Sequence, residues 1–108
     1  MQADVGYHDY IMEFLAPIGD VASRAMFGGY GIFHQGDMFA IIAGSTLYFK
    51  ANDTNRADYE AVGSKQFPHS MSYWEVPAEV IEDTAKLHKW ARTSIVIGHA
   101  TAKKKRRK

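Results

Sequence analysis

Ile11, Phe14, Leu15 and Ile18 recur at the i, i+3, i+4, i+7 spacing that sets apolar side chains on one helical face, and they predict a helix over residues 8–18. Pro17 and Gly19 punctuate its end, because proline interrupts the hydrogen-bond ladder and glycine tolerates the turn that follows. From about residue 23 to 50 the period shortens. Apolar or alternating runs follow one another: Arg24-Ala25-Met26-Phe27, Tyr30-Gly31-Ile32-Phe33, Met38-Phe39-Ala40-Ile41-Ile42 and Thr46-Leu47-Tyr48-Phe49. Gly28-Gly29, His34-Gln35-Gly36-Asp37 and Ala43-Gly44-Ser45 separate them as turns. Parallel strands need long crossovers, so runs joined this tightly read as an antiparallel meander.

Beyond Lys50, the polar side chains of Asn52, Asp53, Thr54 and Asn55 offer caps for a short helix over 56–62, ended by Gly63, with Tyr59 and Val62 facing inward. Phe67-Pro68 holds the backbone extended, and Met71-Ser72-Tyr73-Trp74-Glu75 reads as one more strand at a sheet edge. The last helix has the clearest pattern. Pro77 suits a first turn, Glu79, Glu82 and Asp83 sit near the positive end of the dipole, and Lys86, Lys89 and Arg92 come later. Val80, Thr84, Leu87, Ala91 and Ile95 form its inward stripe, Trp90 widens it, and Gly98 marks its end. The order α-β-β-β-β-α-β-α predicts an α+β domain, in which helices pack on a single antiparallel sheet made of a meander and one further strand.

Composition narrows the function classes. The chain has 108 residues, 46% of them hydrophobic and 23% charged, which suits one folded domain with a core of its own. It contains no cysteine, which excludes disulfide staples, cysteine-ligated metal and thiol nucleophiles. No apolar run approaches the roughly 20 residues of a membrane-spanning helix. The amino terminus lacks the basic start and apolar stretch of a signal peptide, so a soluble cytoplasmic protein is expected, without membrane contact. The net charge of +1 hides an asymmetry, because Lys103, Lys104, Lys105, Arg106, Arg107 and Lys108 form a basic run. The expected organisation is a folded domain over 1–102 with a basic tail over 103–108. Without the tail, the body carries 7 basic residues against 12 acidic ones, so any attraction to phosphate concentrates in the tail. The tail reads either as a sequence-independent nucleic-acid contact or as a solvated end that aids solubility.

Candidate chemistry is sparse. Three glycines beside Arg24, in Arg24-Ala25-Met26-Phe27-Gly28-Gly29-Tyr30-Gly31, could aim backbone N–H groups at an anion, yet no Gly-Lys-Ser/Thr follows and no helix is opened. The structural reading is that Gly28-Gly29 admits positive φ in a tight turn or bulge while Gly31 lets a neighbour approach. The five histidines, His8, His34, His69, His88 and His99, show no i, i+4 pair, and His8-Asp9 splay apart as chain neighbours, so no metal or other cofactor is expected. Glu82-Asp83 is explained by the helix dipole, and no Gly-x-Ser-x-Gly elbow is present, so no catalytic residue is expected. Aromatic residues are abundant. Tyr30, Phe33, Phe39, Tyr48, Phe49, Tyr73 and Trp74 fall on strands, and alternation turns about half of them away from the helices. An uncovered face of this kind reads as a partner surface, against the plainer reading of partly buried tyrosines.

The blocks Pro17-Ile18-Gly19, Arg24-Ala25-Met26-Phe27-Gly28-Gly29-Tyr30-Gly31, Met38-Phe39-Ala40-Ile41-Ile42 and Leu47-Tyr48-Phe49-Lys50 resemble the amino-terminal domain of the TfoX/Sxy competence regulators. Tyr73-Trp74-Glu75-Val76-Pro77-Ala78-Glu79-Val80 and Trp90-Ala91 resemble that family's later blocks, so the similarity runs from about 7 to 97. The resemblance implies a fold similar to the secretion chaperones and a non-enzymatic regulatory or adaptor role linked to DNA-uptake genes. Such a role works through a protein partner or a second copy. Longer members carry a second domain, and the basic run stands where that domain would begin. The expected interaction residues are Arg24, Met26, Phe27, Gly28, Gly29, Tyr30, Gly31, Tyr48, Lys50, Tyr73 and Trp74, with the tail for nucleic acid. The alternative, from another class, is a small anion-binding or enzymatic domain built from Arg24, the Gly28-Gly29 turn and Lys50.

Overall fold

Asp4 sets the first helix, because its carboxylate accepts the Tyr7 N–H at 3.1 Å and supplies one of the acceptors that a helix start lacks. The computed structural model describes residues 4–26 and 28–105 and the backbone of Arg106. Helix α1 (Val5–Leu15) buries Ile11 and Leu15 and tightens into a 3₁₀ turn at Ala16–Ile18, with Pro17 inside the turn and Gly19 at φ 89° beyond it. The helix therefore starts three residues before the span predicted from periodicity, where the Asp4 cap puts it.

Four strands follow: β1 (Val21–Met26), β2 (Gly29–His34), β3 (Asp37–Ala43) and β4 (Thr46–Lys50). After α2 (Arg56–Ala61) come β5 (Gln66–Phe67), β6 (Ser70–Glu75), α3 (Ala78–Ile81) and α4 (Thr84–Arg106). The strands make one sheet in the order β1-β2-β3-β4-β6-β5, antiparallel throughout. The α+β class, the meander and the helices laid on the sheet are as the sequence predicts. The strand around Tyr73 is not an edge, however, because the two-residue β5 hairpin pairs along its outer side.

The pairing register sorts the side chains into two faces. Ser23, Ile32, Ala40, Phe49, Trp74 and Gln66 form one row across all six strands and turn to the helices. Arg24, Gly31, Ile41, Tyr48 and Glu75 form the opposing row. The β2–β3 register shifts between Ile32 and Phe33, and this bulge lets both Phe39 and Ala40 be buried although they are neighbours. The core joins them to Ile11, Leu15, Ile42, Leu47, Tyr59, Val80, Leu87 and Ala91. Among the described residues, no helix is long and apolar enough to cross a membrane.

Three expectations for the helices are corrected. Val62 is exposed, because α2 ends at Ala61 and only Tyr59 reaches the core. The last helix is two helices, because the Asp83 carboxylate accepts the Lys86 N–H at 3.2 Å and caps a fresh start, which leaves Thr84 exposed in the first turn. Gly98 does not end α4. It is buried against β3, where an added Cβ would stand 2.7 Å from the Met38 carbonyl oxygen, so glycine is required for close helix–sheet approach. The helix runs on through Lys103, Lys104 and Lys105 to Arg106.

Candidate functional site

The face of the sheet turned away from α1 and α4 carries an apolar groove of about 570 Å³. Met26, Met38, Ile41, Phe67 and Tyr73 line it, with His69 at its rim. Gly31 is at its floor, where an added Cβ would meet the sulfurs of Met26 and Met38 at 2.5 and 2.8 Å. The missing side chain is thus what lets the two thioethers converge. The β5–β6 hairpin raises one wall, with Tyr48 set edge-on to Phe67 at a centroid distance of 4.9 Å. Burial pushes the Tyr73 phenol up to about 12, so it stays neutral, and Tyr48 is raised by burial and then by Glu75.

The expected interaction residues divide between the faces. Arg24, Met26, Gly31, Tyr48, Lys50 and Tyr73 lie on the open side, whereas Tyr30 stacks on His8 at 4.0 Å and Trp74 packs near Tyr59 at 6.2 Å on the helix side. Gly28 takes positive φ (74°) in the turn, and Gly29 is buried, where an added Cβ would lie 2.4 Å from the Ile42 carbonyl oxygen. Phe27 lies outside the described residues, as do the side chain of Arg106 and the whole of Arg107 and Lys108. The cluster proposed for a small anion does not converge. Arg24 lies over the Phe33 ring at 4.7 Å in a shallow depression with Asp20 and Gln35, Gly29 borders the apolar groove, and Lys50 lines a separate hollow.

That hollow, about 530 Å³, lies between the end of α4 and β4–β6. Lys50, Lys105, Ser70, Ser72, Tyr73 and Thr101 line it. The Lys50 backbone is pinned from two elements, because its carbonyl accepts from the Ser94 hydroxyl at 2.7 Å and from Asn55 Nδ2 at 3.4 Å. Its ammonium lies over the Tyr73 ring at 4.7 Å. Burial, and then the like charge of Lys105, push the Lys50 pKa down.

Two histidine arrangements were not visible in the spacing. His34 Nδ1 and His99 Nε2 are 2.8 Å apart, and His99 Nδ1 is 2.7 Å from Asp37 Oδ2. A carboxylate only accepts, so His99 donates to Asp37 through Nδ1–H, and in its neutral form accepts from His34 Nδ1–H. The relay fastens the β2–β3 turn to α4. His8 and Asp9 do not splay apart, as their adjacency suggested: His8 Nδ1 is 2.9 Å from Asp9 Oδ1 while Nε2 meets Ser23 Oγ at 2.7 Å. Among the described residues, no group of three or more His, Asp or Glu side chains is set to hold a metal ion. Met38, Ile41 and Phe67, the groove residues absent from the sequence expectation, alternate correctly only once the bulge and the short β5 hairpin are known.

The molecule is thus an α+β domain with a helix-covered core on one side of its sheet and an uncovered, methionine-lined groove on the other. The chain belongs to the TfoX N-terminal domain family, which matches it over residues 13–96. It is similar to the DNA transformation protein TfoX1 of Aliivibrio fischeri, with 32% identity over 57 residues, 53% of this chain. The match covers 27% of that relative's length.

Proposed function

We propose that the protein is a non-enzymatic regulatory or adaptor domain of DNA transformation, acting by docking a protein partner in the open-face groove. The convergence of Met26, Met38, Ile41, Phe67 and Tyr73 into one apolar concavity carries this reading, because flexible thioethers and rigid rings suit adaptable protein contact. The relative's name supplies the link to transformation. The basic run 103–108 adds a weak, sequence-independent contact to nucleic acid.

The test is genetic. Transformation frequency is measured in a transformable host carrying the native gene, its deletion, or Ile41→Glu, which places a carboxylate in the groove. Deletion should lower the frequency, and Ile41→Glu should reproduce that loss at unchanged protein level. Transformation that is indifferent to deletion would reject the role, and full activity of Ile41→Glu would reject the groove as its means. The native protein and Ile41→Glu, compared by sedimentation, tell a second copy from a different partner. A dimer lost on substitution means the groove pairs with itself.

A further inference from the structure

Lys103, Lys104 and Lys105 have a structural reason to be where they are, since cations at a helix carboxy terminus oppose its dipole. Lys50 has none. It projects from a strand, is half-buried and lies beside Lys105, and among the described residues neither lysine has a carboxylate within 4 Å. Asp37 also lines the hollow, but its Oδ2 is bonded to His99 at 2.7 Å. Two like charges sharing a partly desolvated hollow are unfavourable alone, and the Tyr73 ring offsets only part of the cost. An anion between them would reverse the sign of the interaction.

The walls suit a tetrahedral oxyanion. Ser70 Oγ accepts from the Ser72 N–H at 3.3 Å, which leaves the Ser70 hydroxyl proton free to donate, and Ser72 is a further lining residue. Thr101 donates to the Ile97 carbonyl at 2.9 Å and so serves as wall rather than donor. Lys103 and Lys104 are exposed on the same last turns of α4 and add positive charge near the hollow without lining it.

We infer that Lys50 and Lys105, with the Ser70 hydroxyl, form a phosphate site that seats one backbone phosphate of a nucleic-acid strand, while the other cations of the basic run add to the attraction. The inference goes beyond the docking groove and deepens the tail contact by giving it an anchor inside the fold. A site of this kind reads no base edge, so binding is independent of sequence.

The test uses the full chain and a mixed-sequence duplex of about 20 base pairs, long enough to present a run of phosphates. Affinity is measured over a range of salt for the native protein, Lys50→Met, Ser72→Asp and a chain lacking 103–108. Lys50→Met keeps the apolar stem and removes the charge. Ser72→Asp places a carboxylate at an exposed position, where folding is insensitive, and so keeps the test open if the lysine variant misfolds. Lys50→Met and Ser72→Asp should each weaken binding about tenfold, the size of one charge-assisted contact, and removal of 103–108, which takes Lys105 with the rest of the basic run, should weaken it more. Lys50→Met should also flatten the slope of log K against log salt by about 1. Inorganic phosphate should displace the duplex better than chloride at matched ionic strength, and this preference should vanish in Lys50→Met. Binding lost on removing 103–108 but untouched by Lys50→Met and Ser72→Asp would overturn the pocket while leaving the tail contact standing. Absence of duplex binding in the native chain would overturn both.

Discussion

The phenol of Tyr59 is carried into the core by α2, where its ring meets Trp90 edge-on at 4.8 Å and its hydroxyl is buried without a hydrogen-bond partner. Ser94 is beside it, but the serine proton is committed to the Lys50 carbonyl, so the phenol oxygen accepts no bond from that proton, and burial raises the phenol's pKa far above the ordinary tyrosine value. A buried hydroxyl that forms no hydrogen bond costs stability, so Tyr59→Phe should unfold at equal or higher urea, with a gain of up to about 1 kcal/mol. A loss beyond that would show a hydrogen bond that the geometry does not contain. Asp4 behaves in the opposite sense. The Tyr7 N–H, then the Ser45 hydroxyl, hold its pKa below the ordinary carboxylate value, so its cap stabilises the fold above that value and fades as pH falls through the lowered one. The stability gap between the native protein and Asp4→Ala should therefore be widest near neutrality and close in acid. A gap unchanged in acid would rule out the carboxylate as its source. The histidines were hidden from the sequence for a related reason: His34, Asp37 and His99 are brought together by the descent of α4 onto the β2–β3 turn, and no local spacing encodes that meeting.

At the scale of elements, α4 shows how one residue can be read two ways. A glycine after an amphipathic stripe ordinarily ends a helix, yet Gly98 is mid-helix because the Met38 carbonyl leaves no room for a Cβ. Gly98→Ala should thus destabilise by about 1–3 kcal/mol in chemical denaturation through overpacking, although alanine is the better helix former by roughly 1 kcal/mol. A stabilised variant would mean that the helix can shift away from β3. The meander was legible because each apolar run is closed by a glycine turn. The bulge at Ile32/Phe33 was not, since Phe39-Ala40 reads as a plain apolar run in either register. Asp83 was read as a dipole partner, and its second role as a cap depends on Glu82 ending α3.

At the scale of the whole molecule, the helices commit to one face of the sheet and leave the other with an apolar concavity. A fluorescent hydrophobic probe should brighten on the folded protein well below its denaturation midpoint, and Ile41→Glu should remove most of the signal at unchanged urea m-value. Equal fluorescence from both would place the exposed apolar surface elsewhere. The charge asymmetry acts at this scale too, because continuation of α4 through Lys105 fixes a stretch of the basic run against the fold. Composition alone could say that positive charge was concentrated at one end. It could not say that Lys50 would meet it there.

Periodicity, glycine placement and charge order settled the types of the main elements, the antiparallel meander and the α+β class, because these depend on interactions between residues near in the chain. The division of the aromatics between two faces, the Gly31 floor under Met26 and Met38, the Asp37–His99–His34 relay and the Lys50–Lys105 hollow were decided only in three dimensions. Each joins side chains from separate elements, and whether they meet depends on bulges, strand order and the approach of one helix to one strand.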